Sequence, residues 1–276
     1  MNKVRVLYVS QEIFPYLPES EMANVSRNLP QAIQEKEREI RTFMPRFGCI
    51  NERRHQLHEV IRLSGMNLII DDQDHPLIIK VASIQQARMQ VYFIDNEEYF
   101  KRKNTFKDAE GVEHADNHER LIFYGKGVLE TVKKLGWAPD IIHCHGWFSS
   151  VLPLYVRKEY QNDPIFSNAK IVYSAYDYSD SVKQVSNKFA SKAVTENVVK
   201  QDLAAAEKAS VQNLDLLAAQ YSDAVILGSD SLAKSHIENI KSANSNVLEY
   251  QNEENYVDAY DALYDQVLEE SGVLAE

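Results

Sequence analysis

The chain has 276 residues, 44% hydrophobic and 26% charged, enough to bury the core of one α/β domain with an appendage. Its formal charge of −11 is uneven: no Lys or Arg follows Lys241 while nine acids do, which leaves −2 for residues 1–241. A nearly neutral body with an acidic tail excludes a phosphate-tracking nucleic-acid surface, because such surfaces cluster Lys and Arg. Two cysteines, Cys49 and Cys144, make no disulfide framework, and the opening residues 1–10 are too short and too charged for a signal peptide. No apolar run approaches the roughly 20 residues of a membrane span. These features predict a cytoplasmic chain with no membrane partner.

Residues 4–10 form a β-branched apolar run, a buried strand, and Pro15 and Pro18 forbid helix in the loop after it. Met22, Val25, Leu29, Ala32 and Ile33 then recur at helical spacing, with Ser20 or Glu19 as cap, and Pro30 is expected to kink this helix. Residues 40–44 read as the next strand and complete a right-handed βαβ unit. Residues 68–70, 77–82 and 89–94 are short apolar runs, separated by turn signals such as Asp71-Asp72 and His75-Pro76, and predict a hairpin or meander. After a polar stretch over residues 101–117, Leu121, Tyr124, Val128, Leu129, Val132 and Leu135 mark an amphipathic helix that Gly136 stops.

The stretch that organises the chain follows: Pro139-Asp140-Ile141-Ile142-His143-Cys144-His145-Gly146-Trp147-Phe148 reads as strand, tight turn and entry to a helix. Residues just past a strand's carboxyl end line the ligand crevice of an open parallel sheet, which places His143, His145, Gly146 and Trp147 where such a fold keeps its site. The competing reading is that the imidazoles only satisfy buried polar groups at a sheet end. Residues 171–174 and 224–227 are further buried strands, and residues 189–220 between them are helical by propensity. Tyr256, Tyr260, Leu263, Tyr264 and Val267 share one helical face in the acidic tail, predicting a helix over residues 253–269 docked on the body with acids outward. The domain reading is therefore residues 1–241 for the body and 242–276 for an acidic amphipathic helix.

Other chemistry finds little support. His114 and His118 stand four apart, a helical metal spacing, but Asp116 and Asn117 between them suit a solvated helix start, and no metal is expected. Gly125-Lys126-Gly127 lacks the rest of a phosphate loop, and Ser174, Ser179 and Ser229 lack a nucleophile elbow.

Several ordered segments resemble the N-terminal domain of bacterial glycogen synthase and plant starch synthase, across residue 4 to about residue 234. They are Val9-Ser10-Gln11-Glu12-Ile13-Phe14-Pro15-Tyr16, Leu29-Pro30-Gln31-Ala32-Ile33, Met44-Pro45-Arg46-Phe47-Gly48, Asp95-Asn96-Glu97-Glu98-Tyr99-Phe100, Asp116-Asn117-His118-Glu119-Arg120, residues 139–155 and residues 221–229. The resemblance implies a single Rossmann-like α/β domain with a mostly parallel sheet, half of a two-domain GT-B glycosyltransferase that moves glucose from ADP-glucose to an α-1,4-glucan. It also implies that a terminal helix crosses back onto this domain, which the tail would imitate.

The departures from the family carry the functional expectation. Its Lys-Thr-Gly-Gly-Leu-Ala-Asp loop, whose lysine and glycine amides reach the donor diphosphate, falls on Pro18, Glu19, Ser20, Glu21, Met22, Ala23 and Asn24. A carboxylate about 4 Å from a phosphate charge costs roughly 4 kcal/mol at an effective dielectric near 20, about a thousandfold in affinity. The family's His-x-His-Asp-Trp-His becomes His143-Cys144-His145-Gly146-Trp147-Phe148, and its Ile-His-Asn becomes Ala175-Tyr176-Asp177. No counterpart of the family's second, nucleotide-binding domain is expected in the residues after Lys241. The expectation is a binding or scaffolding module of glucan metabolism with no cofactor, weakly binding a glucan or small sugar at His143, His145, Trp147, Tyr176 and Asp177. The alternative is a glycosyltransferase half whose second domain comes in trans from a protein partner.

Overall fold

The uninterrupted apolar run of β1 (Arg5–Ser10) suits a strand covered on both faces, and the computed structural model, which describes residues 3–178 and 182–270, places it in the middle of a sheet. The chain continues through α1 (Glu21–Glu35), β2 (Glu39–Pro45), α2 (Glu52–His55), β3 (His58–Glu59), β4 (Met66–Ile70), β5 (Gln73–Ile84), β6 (Met89–Asp95), α3 (Glu97–Phe100), α4 (Asn117–Leu135) and β7 (Ile141–His145). It then forms α5 (Leu152–Lys158), β8 (Lys170–Ala175), α6 (Phe189–Ala193), α7 (Val211–Gln220), β9 (Ala224–Leu227), α8 (Lys234–Ala243), β10 (Val247–Leu248) and α9 (Tyr256–Glu269). The sheet order is β10-β9-β8-β7-β1-β2-β6-β5-β3, parallel from β10 to β6 and antiparallel beyond, with β4 added to β5. This is the mostly parallel α/β architecture expected.

Alternation along the strands sorts the core into two layers. Leu7 and Val9 of β1 and Ile142 and Cys144 of β7 pack with α4, α5 and α7. Val6, Tyr8, Ile141, Val172 and Ile226 pack on the other face with Leu29 and Ile33 of α1 and Tyr260, Leu263, Tyr264 and Val267 of α9. His143 follows Ile141 by two residues, so its ring points into the α1 and α9 layer.

α1 runs unbroken past Pro30, with Leu29 and Ile33 packed against the sheet and Ser20 capping its start. Two sequence expectations change in detail. His75-Pro76 is not a turn: both lie in β5, where Pro76 pairs only with Asn67 of β4, so its missing donor interrupts no second ladder. Residues 189–220 are not one helix. Val194 turns extended after α6, Thr195 Oγ1 accepts the Val198 amide, and only a 3₁₀ turn at Lys200–Ala206 intervenes before Ser210 caps α7.

The acidic tail divides. Residues 247–248 join the sheet edge as β10, the helix starts at Tyr256, and residues 271–276 lie outside the described residues. On α9 the acids meet the turn after α1: Lys36 pairs with Asp258 and Asp261, and Arg38 with Asp261 and Asp265. No described helix is long and apolar enough to cross a membrane.

Candidate functional site

β7 carries His143 and His145 on one face, two residues apart, so their rings lie 3.9 Å centroid to centroid. Parallel pairing sets Tyr8 beside His143, and Ser10 and Ser174 beside His145. Gly146 then turns the chain at φ +84°, where a Cβ would lie 2.9 Å from both Cε and Sδ of Met22. Only glycine fits there, because the turn is left-handed and α1 closes against it.

His143 is wholly buried between two hydroxyls: Tyr264 Oη at 2.6 Å from Nδ1 and Ser174 Oγ at 2.7 Å from Nε2. A neutral imidazole donates through one nitrogen and accepts through the other, so this ring is fully satisfied. Burial holds its pKa well below the ordinary histidine value, and the neighbouring His145 adds to that. His145 Nδ1 meets the Tyr176 hydroxyl at 2.9 Å, its Nε2 has no partner among the described residues, and burial pushes its pKa down to about 3. Both rings are neutral at pH 7.

Trp147 is also fully buried, packed on Phe106 and Phe148 at 5.0 and 5.3 Å, while its amide donates to the Tyr178 hydroxyl. Trp147 is therefore core and not the sugar contact expected of it: neither side of the indole is open. Tyr176 is 3% exposed and Asp177 is exposed, and both line a cavity of about 380 Å³ with Tyr178, Gln184, Asp215 and His236. Asp215 is itself buried, accepting from Tyr173 Oη and paired with His236 Nε2. Sequence reasoning passed over that network because its members come from β8, α7 and α8.

At the amino end of α1 the chain's own acids gather. Ser20 caps the helix by accepting from the Ala23 amide, and its hydroxyl donates to Glu12, which also accepts from the Gln11 side chain. Glu21 accepts from Ser229 Oγ at 2.6 Å and from the Tyr250 hydroxyl. Pro18 and Glu19 are exposed in the loop just before. No described Lys or Arg forms an ion pair with Glu12, Glu19 or Glu21. The Glu21–Ser229 and Glu21–Tyr250 contacts span more than 200 residues, and no local signal announces them.

His114 precedes α4 and His118 lies within it, so the two do not share a helical face, and no cluster among the described residues could hold a metal. Ser179 lies outside the described residues.

A family profile described as the starch synthase catalytic domain matches residues 5–244. The glycogen synthase of Chlorobium limicola is 41% identical over 174 residues, covering 63% of this chain and 36% of that protein. That of Chlorobium luteolum is 36% identical over 215 residues, covering 77% and 42%. The catalytic domain of starch synthase IV from Arabidopsis thaliana, solved with ADP and acarbose, superposes with a TM-score of 0.73 at 17% identity, over 91% of this chain and 52% of that one. The chain thus spans well under half the length of the curated relatives it matches.

Proposed function

The chain belongs to the starch synthase catalytic domain family, and we propose that within it this polypeptide is a binding or scaffolding module of glucan metabolism that does not itself take up a nucleotide sugar. One observation carries this reading: the amino end of α1, where the helix dipole favours an anion, is supplied with Glu12 and Glu21 rather than with a cation or glycine amides. A donor diphosphate arriving there meets charges of its own sign. The neutral, enclosed His143 and His145 add no positive charge. A short glucan end finds its best partners instead in the cavity beside Tyr176 and Asp177, where phenol rings and polar side chains stand together. Binding there is weak, since few groups converge.

The test is an incorporation assay with ADP-glucose and glycogen, with and without the other transferases of the host, beside a maltooligosaccharide titration. The reading expects no glucose transfer by this chain and weak, saturable oligosaccharide binding that Tyr178→Ala reduces. Transfer that requires this chain would establish the other reading, a glycosyltransferase half completed by a partner.

A further inference from the structure

Guanidinium charge is spread unevenly over this acidic chain. Every arginine outside residues 53–88 has a side-chain hydrogen-bond partner. Arg53, Arg54, Arg62 and Arg88 have none among the described residues, so unneutralised cations gather at the antiparallel end of the sheet, around β3 and the turn from β5 to β6. A cleft of about 530 Å³ opens there, lined by Arg54, His55, Gln56, His58, Gln85 and Gln86 beside Tyr16. No Asp or Glu among the described residues lines it. Gln56 turns the chain from α2 into β3 at φ +55°, which brings His58 to the opening that Arg54 and His55 share. The His55 ring stands 5.0 Å from that of Tyr16 at 63°, and Tyr16, 6% exposed, is itself packed on Phe93. Burial and the Arg54 charge hold the His55 pKa below its ordinary value, so the two side chains stand close with no carboxylate to separate them.

Cationic groups held in one cleft without a counter-ion favour an anion. The planar fork of an arginine donates two hydrogen bonds to one phosphate group, and the imidazoles of His55 and His58 add further donors. Three glutamine amides beside them suit the hydroxyls of whatever carries the phosphate. Glu52 and Glu59 flank the cationic stretch in sequence, which makes it a pocket and not a track for a polyanion. The volume exceeds that of a phosphate alone and suits a small molecule. We propose that this cleft binds a phosphate monoester of a small hydroxylated molecule. It shares no lining residue with the α1 end or with the cavity beside Tyr176, so its test stands apart from the reading of those sites.

The experiment titrates the isotopically labelled full chain, at fixed ionic strength, with glycerol 3-phosphate, with inorganic phosphate and with glycerol. Glycerol 3-phosphate gives saturable amide shifts at residues 54–58 and 83–86 in the millimolar range, inorganic phosphate binds severalfold more weakly, and glycerol gives no shift. Arg54→Gln weakens the ester about tenfold, and its thermal midpoint is unchanged because the side chain is exposed and unpaired. Lys103→Gln, which removes an exposed cation outside the cleft, changes the affinity by less than about twofold. Equal affinity for the ester and for inorganic phosphate overturns the monoester and leaves free phosphate as the ligand. The absence of saturable shifts at these residues overturns the site itself. An equal loss on Arg54→Gln and Lys103→Gln does the same, since it would mean general charge attraction only.

Discussion

Two places along the carboxyl edge of the sheet have opposite fates. At β7, His143 and His145 are bonded by Tyr264 and Tyr176 and become part of a polar core. At the start of α1, Glu21 stays exposed, with Glu253 on the same acidic cleft. The difference teaches that a His-x-His at the end of a central strand is not an open site when a helix 121 residues away supplies its hydrogen-bond partner. What the α1 end offers depends on charge instead, and there the sign is negative.

The sharpest way to break the comparison is to strip the rings of α9. Tyr260→Ala with Tyr264→Ala removes two buried rings, and at about 3 to 5 kcal/mol for each large buried aromatic, discounted for relaxation, stability should fall by several kcal/mol. An unchanged denaturation midpoint would mean that α9 does not hold the α1 face. His143→Leu removes the ring that bridges the Tyr264 and Ser174 hydroxyls, leaving Tyr264 only its longer 3.4 Å contact with Tyr8, and should cost about 1 to 2 kcal/mol in urea titrations.

The same buried pair sets a pH response. Both histidines have folded pKa values below the unfolded value, so the unfolded chain binds more protons in the window between them. Their contribution is complete above the unfolded pKa of about 6.5 and is lost as pH falls towards about 3, the folded value of His145. Replacing His145 by Gln should therefore flatten the stability slope between about pH 6.5 and 4.5 by roughly 1 kcal/mol per pH unit. A slope identical to that of the parent chain contradicts the burial of that ring. The smallest effect belongs to the ion pairs at the turn after α1. Lys36→Ala should cost no more than about 0.5 kcal/mol, because Asp258 is largely exposed, and salt should erase the difference.

Much of the fold was legible because it depends on local pattern. Ser20 as a cap, Gly136 as a helix stop, the β-branched runs of β7 and β9 and the tyrosine face of α9 all declare themselves within a few residues. Pro76 misled because a one-sided strand partner decided its effect. The site was legible only in composition. That the α1 end would hold carboxylates could be read directly, but the contacts of Glu21 with Ser229 and Tyr250, the hydroxyl bridge from Tyr264 to His143 and the Tyr173–Asp215–His236 network join distant segments. Trp147 shows the limit most clearly: an aromatic after a turn reads as a platform or, rather more often, as core, and Phe106, from a stretch with no helix or strand, decides for core.

The central claim is that the amino end of α1 repels a donor diphosphate, and an amide-resolved titration with ADP-glucose tests it most directly. The account predicts no saturable shift at residues 18–24 up to millimolar ligand, and a gain of response when Glu12 and Glu21 are changed together to Gln. Saturable, submicromolar-to-micromolar binding by the unaltered chain, with shifts centred on the Ser20 to Ala23 amides, would contradict it.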